Sequence, residues 1–251
     1  MNLSILGSGT CAVTNDRSCS SYFIRAGNSN LLLDIGFGTM RRMAQAGIDY
    51  RDIDVILCTH FHLDHIGDLA PFLMATRFTP GFERRKPLTI IGPKKLKTFL
   101  QRCRELYGDW LLPTTEYQLN IIELDSEQIQ LENCLMSALP MNHTKYTNGY
   151  RIEYNGRKLA YSGDTGPCDE IVQLCRDADM ALIECSFPDE NPFEFHLTPQ
   201  QAGEIAEKAA VKRCVLTHFY PLMDNINVKA ACATRFSGEI FVAKDFDSYT
   251  V

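Results

Sequence analysis

The chain has no apolar run approaching the ~20 residues that cross a bilayer. Its opening, MNLSILGSGT, carries neither the basic stretch nor the apolar core of an export signal. These absences predict a protein that is neither membrane-embedded nor exported, with the cytoplasm as its compartment. Cys-x-x-Cys pairs are also missing. The ten cysteines are scattered, several within apolar stretches such as DVILCTH and RCVLTHF, where a free thiol acts as a small hydrophobe and a reducing compartment suits it. No linker, low-complexity tract or composition break divides the sequence, so one domain spanning 1–251 is expected. What is present is 251 residues of 45% hydrophobic composition. That is enough to bury a substantial core, and it excludes disordered, collagen-like and coiled-coil classes.

Short apolar stretches between glycine turns predict strands at Leu3–Leu6, Tyr22–Arg25, Leu31–Asp34, Val55–Thr59, Leu88–Ile91, Leu119–Leu124 and Cys134–Leu139. Tyr150–Tyr154 and Lys158–Tyr161 flank Asn155-Gly156, a strong hairpin signal; Ala178–Glu184, Val215–Thr217 and Ile240–Ala243 read as further strands. Helices are expected over Thr39–Ala46 with Gly47 as the stop, after Gly92-Pro93 to about Tyr107, and from the capping box Thr198-Pro199-Gln200-Gln201 to about Ala210. The result is a mixed α/β chain.

Net charge is −6, unevenly distributed. Residues 76–105 hold nine Lys/Arg against Glu83 and Glu105, a local +7 that leaves −13 elsewhere. Such a window either steers an anionic substrate or is a solvated helix face. One echo stands out: VILCTHF at 55–61 and CVLTHFY at 214–220 are both apolar strands ending in Thr-His-Phe, which would deliver two histidines to a shared cleft.

The segment Thr59-His60-Phe61-His62-Leu63-Asp64-His65 places three of the chain's six histidines and a carboxylate within six residues, directly after a buried strand. Imidazole nitrogen and carboxylate oxygen suit Zn²⁺, Mn²⁺ or Fe. None of the ten cysteines lies in the motif, which argues against a closed structural zinc cage. Gly7-Ser8-Gly9-Thr10 lacks the third glycine of a dinucleotide fingerprint and the Lys of a P-loop, so it reads as a tight turn near the metal rim.

H-x-H-x-D-H is the signature of the metallo-β-lactamase superfamily, which the chain resembles along nearly its whole length. The resemblance implies a four-layer αβ/βα sandwich, with two mixed sheets face to face, helices outside and two divalent metal ions at one edge. It also implies later ligands: His143 in PMNHT, Asp164 in YSGDTG and His218 in LTHFYP. By that pattern His60, His62 and His143 hold one ion, Asp64, His65 and His218 the other, and Asp164 bridges them. Zinc is the expected metal, with manganese and iron open. Two ions sharing a ligand bring the pKa of a water between them to about 7, and Asp64 is expected to help orient that nucleophile.

Ile183-Glu184-Cys185-Ser186-Phe187 followed by His196-Leu197-Thr198-Pro199 resembles the ribonuclease Z branch, as do LGSGT, LLLDIGFGT and PLTIIGPKKLKTFL. There a Glu supports a His that helps the leaving group depart, which implies those roles for Glu184 and His196. The expected function is a metal-dependent phosphodiesterase acting in RNA 3′ processing or on small or cyclic phosphodiesters. Its expected partner is an anionic phosphodiester substrate, RNA among the candidates; a homodimer is compatible with the branch. One departure stands against the long-armed members. His143 and Asp164 are only 21 positions apart, room for a hairpin but not for a protruding substrate-binding arm. The alternatives are a lactonase or thioesterase on the same scaffold, and a metal-containing redox or binding module. Oxygen-reducing relatives carry Glu at the second His of the motif and an attached flavodoxin domain, whereas this chain has His62 and no room for that domain.

Overall fold

A computed structural model describes residues 1–251 except positions 13, 114 and 132. In chain order the strands are β1 (Asn2–Gly7), β2 (Ser21–Ala26), β3 (Ser29–Leu33), β4 (Val55–Leu57), β5 (Leu88–Gly92), β6 (Leu119–Glu123), β7 (Gln128–Leu131), β8 (Cys134–Pro140), β9 (Asn148–Tyr154), β10 (Arg157–Tyr161), β11 (Met180–Glu184), β12 (Arg213–Thr217), β13 (Glu239–Val242) and β14 (Ser248–Thr250). The helices are α1 (Thr39–Gln45), α2 (Leu63–Ile66), α3 (Leu69–Phe78), α4 (Leu96–Tyr107), α5 (Asp169–Cys175), α6 (Pro199–Lys208) and α7 (Val228–Ala233).

Two seven-stranded mixed sheets result, ordered β14-β1-β2-β3-β4-β5-β6 and β13-β12-β11-β10-β9-β8-β7. In each, a parallel block, β3 to β6 or β10 to β13, adjoins antiparallel strands. Both faces of the central strands β4, β5 and β11 are covered, and these are buried along their whole length rather than on alternate residues. β4 illustrates the division of labour. Val55 and Leu57 point into the core between the sheets, against residues such as Met136, Ile152, Leu182 and Val215. Ile56, on the opposite face by the period of two, packs with Phe72, Leu73, Leu96 and Leu100 of α3 and α4. The second sheet repeats this with Ala181, Ile183 and Leu216 beneath α5, α6 and α7. The four-layer sandwich implied by the resemblance is the observed architecture.

Three buried tyrosines join the halves across the middle. Tyr22 Oη and Thr217 Oγ1 are 2.9 Å apart, while Tyr150 donates to the Cys58 carbonyl and Tyr161 to Asp34, each at 2.7 Å. Each phenol reaches a partner that would otherwise be a costly buried polar group.

The expected hairpin forms with Tyr154 opposite Arg157, and Asn155 and Gly156 both take positive φ, as a tight two-residue turn demands. The capping box forms as well: Thr198 Oγ1 accepts from the Gln201 amide, and Gln201 Oε1 accepts from the Thr198 amide. β4 ends at Leu57 rather than Thr59 because the Thr59 amide leaves the ladder for Asp34 Oδ1, at 2.7 Å. The sequence reading omitted α2, α3, α5, α7, β7 and β14. Pro71 lies in the first turn of α3, where no amide partner is needed, and the edge strands β7 and β14 are four and three residues long. No helix among the described residues is long and apolar enough to cross a membrane.

The basic window is largely engaged internally. Arg84 is buried and donates to the carbonyls of Arg51, Ile53, Lys86 and Pro87. Arg77 pairs with Glu116, Arg85 with Glu83, Lys86 with Asp54, Lys94 with Asp125 and Arg104 with Asp109. The Gly-Ser-Gly-Thr turn is likewise occupied. The Ser8 amide and hydroxyl both donate to Asp245, and the Ser8 carbonyl accepts from Phe219, beside His218. The Ser8 amide and hydroxyl are thus taken by the protein's own carboxylate, and the Gly9 amide by the Ser18 carbonyl.

Candidate metal centre

The seven side chains implied as ligands meet at one edge of the sandwich, where parallel strands of both sheets end. This is the edge at which α/β sheets bind ligands. β4 delivers His60; His62 then sits at the N-cap of α2, with Asp64 and His65 in its first turn. From the other sheet come His143 after β8, Asp164 after β10 and His218 after β12, the last with φ of +58°. Gly36 makes the approach of α2 possible, since a Cβ there would lie 2.0 Å from the Asp64 carbonyl oxygen.

Potential ligand atoms of His60, His62, His143 and Asp164 lie within 4.8 Å of one another, as do those of Asp64, His65 and His218. Asp164 faces both groups. Its Oδ1 is 3.2 Å from His65 Nε2 and 3.3 Å from His218 Nε2, and its Oδ2 is 3.8 Å from His60 Nε2 and 3.7 Å from His143 Nε2. His62 Nδ1 lies 3.2 Å from His143 Nε2, and Asp64 Oδ2 3.6 Å from His218 Nε2. Ligands at about 2.0–2.1 Å from a tetrahedral ion are about 3.4 Å apart, so these spacings match coordination edges. His60 Nε2 and Asp164 Oδ1 are buried without a hydrogen-bond partner, two lone pairs that a cation would satisfy. The donor set fits divalent metal ions.

Outer contacts fix which nitrogen faces inward. His65 Nδ1 lies 2.8 Å from Asp34 and His143 Nδ1 3.1 Å from the Phe195 carbonyl, so both donate outward and keep Nε2 as the available lone pair. His218 Nδ1 contacts Ser186 Oγ at 2.9 Å, and that hydroxyl donates to Glu184 at 2.6 Å. Burial and the neighbouring imidazoles push the His60 pKa well below its ordinary value, leaving a neutral ring. Burial works against the imidazolium of His65, but the charges of Asp164 and Asp34 outweigh it and raise that pKa. For Asp64, burial is outweighed by the His218 hydrogen bond and the His65 charge, and its pKa falls to about 2.

Beside this group lies a second assembly. His196 Nδ1 is 2.7 Å from Glu184 Oε1, which also accepts from the Thr165 amide; Glu184 Oε2 accepts from Ser186 Oγ and the Leu197 amide. Four hydrogen bonds saturate this fully buried carboxylate, so it orients His196 rather than offering a lone pair to a metal. Burial disfavours the His196 imidazolium, yet the Glu184 hydrogen bond and charge raise its pKa.

A family model described as the beta-lactamase superfamily domain matches residues 29–219. The chain belongs to that superfamily. Among curated relatives, the Ribonuclease Z of Thermobifida fusca is 30% identical over 298 aligned positions, covering 97% of this chain and 92% of the relative. Among solved structures, the metallo-beta-lactamase fold protein YhfI from Bacillus subtilis superposes with a TM-score of 0.87 at 21% identity, covering 99% and 98% of the two chains. The short form of human tRNase Z superposes with a TM-score of 0.77 at 25% identity, covering 100% and 99%. This superfamily member is a metal-dependent hydrolase, ribonuclease Z-like in sequence.

The sequence reading missed Asp34, Ser186, Thr59 and Tyr161. Asp34 accepts from the Thr59 amide and hydroxyl, His65 and Tyr161, so it organises the floor of the centre. Its signal was visible in LLLDIGFGT, a lone carboxylate ending an apolar strand that must find partners once buried. Ser186 carried no comparable signal.

Proposed function

We propose that this hydrolase is a dinuclear phosphodiesterase, with His60, His62 and His143 as ligands of one ion, Asp64, His65 and His218 of the other, and Asp164 as the bridge. Two divalent ions there, zinc by preference, would supply hydroxide at neutral pH and polarise the phosphoryl oxygen. The observation that carries the reading is the Glu184–His196 pair beside Asp164. With Nδ1 held by Glu184, the ring donates its proton through Nε2 to the departing alkoxide. Glu184 stabilises the protonated ring and fixes its orientation, a general-acid arrangement worth about 10²–10⁴ in rate. An acidic leaving group needs no such donor, so the pair favours phosphodiesters over activated esters. The natural substrate is an RNA 3′ end or a small or cyclic phosphodiester. Asp64, ionised and buried, also helps to orient the nucleophile.

The test is hydrolysis of bis(p-nitrophenyl) phosphate, a precursor tRNA with a 3′ trailer and a cyclic nucleotide by metal-loaded protein. Cleavage of at least one that is abolished in Asp64→Ala is expected. Protein shown to hold two ions that cleaves none of them, yet hydrolyses lactones or thioesters, would overturn the proposal.

A further inference from the structure

Residues 187–195, Phe-Pro-Asp-Glu-Asn-Pro-Phe-Glu-Phe, connect the Glu184 strand to His196 and hold three aromatics, three acids and no Lys or Arg. Phe193 and Phe195 are 48% and 37% exposed, large apolar rings left open beside a charged centre. The segment is not a loose loop. The Phe195 carbonyl accepts from His143, the Phe193 carbonyl from the His196 amide, and the Glu194 carbonyl from Asn142. Its backbone is therefore anchored to His143, Asn142 and His196, at the rim of the centre.

Their arrangement is directional. Phe193 lies nearly parallel to His196, with 28° between planes and centroids 5.9 Å apart; Phe187 sits 5.3 Å from Phe193 and 5.6 Å from both His196 and Tyr220. An aromatic wall thus begins at His196, which on the phosphodiesterase reading is the side from which the leaving group departs. A planar ring offers its face to another planar ring. Asp189, Glu190 and Glu194 on the same segment oppose any further phosphate.

We infer that Phe193, backed by Phe187, forms a stacking subsite for a nucleobase on the leaving-group side of the scissile phosphodiester. The inference rests on the phosphodiesterase reading and names its substrate class: a diester whose leaving group is a nucleoside without an additional phosphate next to the base. Stacking of one base on one aromatic side chain corresponds to roughly tenfold in affinity or more.

The test compares adenosine 5′-monophosphate with ribose 5-phosphate by calorimetry on metal-loaded wild type, Phe193→Ala and Phe193→Trp. The nucleotide is expected to bind roughly tenfold tighter than the sugar phosphate. Phe193→Ala should remove most of that advantage and leave the sugar phosphate unaffected, while Phe193→Trp preserves it. Equal binding of the two compounds by wild type, or an equal loss of both in Phe193→Ala, would overturn the subsite. Hydrolysis of diesters is scored separately on wild type. Diester cleavage without base-dependent binding sinks this inference alone, whereas base-dependent binding without cleavage sinks the phosphodiesterase reading and with it the leaving-group assignment, leaving only the stacking contact at Phe193.

Discussion

The two halves of the proposed centre differ in charge and in support. The half formed by His60, His62 and His143 has three imidazole donors, one of them, His62, exposed to solvent, and its outer contacts are a threonine hydroxyl and a backbone carbonyl. The half formed by Asp64, His65 and His218 is buried, contains a carboxylate of its own, and is backed by Asp34 and by Glu184 through Ser186. A carboxylate behind an imidazole raises its basicity as a ligand. The buried half should therefore hold its ion more tightly, and the exposed half should exchange it more readily.

The largest effect expected is from Asp164→Ala, which removes the one side chain serving both halves. Metal content measured by elemental analysis should fall from two equivalents to below one, with a loss of activity of more than about 10³-fold. Retention of two ions would break the bridging assignment. Next is His196→Ala, expected to lower turnover of a diester with an alkyl leaving group by about 10²–10⁴ and to leave p-nitrophenyl esters nearly unchanged, with metal content intact. Equal losses on both substrates would mean that His196 does not act as the acid. Asp34→Asn is expected to weaken the ion of the buried half by about 10–100-fold in chelator competition and the other, which Asp34 reaches only through Thr59, by less, whereas His62→Ala should chiefly weaken the ion of the exposed half. If both variants lost the same ion, the division into halves would collapse. The smallest effect is a control: Thr198→Ala removes the cap of α6, costing about 1 kcal/mol in stability, with no change in metal affinity.

The same contrast governs what was legible in the sequence. Residues clustered along the chain, His60 to His65, were conspicuous, and the Thr-His-Phe echo marked the two strands that carry His60 and His218 to the same edge. His143 and Asp164 were readable only through the family resemblance, because a histidine after Pro140 or an aspartate between glycines has the local chemistry of an ordinary turn. Asp34 and Ser186 act on residues far away in sequence, and no local pattern encodes such partners. The short elements were lost for a related reason: β7 and β14 have little pattern of their own and are strands because β8 and β1 supply hydrogen-bond partners. The basic window looked like one feature in the sequence, but it dissolves into separate pairs, with Arg84 serving as a buried tie among carbonyls.

The tyrosine contacts across the sandwich have a mechanical consequence. Because the proposed donors arrive from both sheets, any sliding of one sheet over the other changes the span across which each ion must be gripped. The phenols of Tyr22, Tyr150 and Tyr161 act as spacers that hold this gauge constant, and metal bound at the proposed centre would in turn work as a clasp on the open edge. At free metal 100 times the dissociation constant, a site present only in the folded chain adds about 2.7 kcal/mol to its stability. Chelation would unfasten the clasp, leaving the spacers and the apolar core between the sheets to keep them in register.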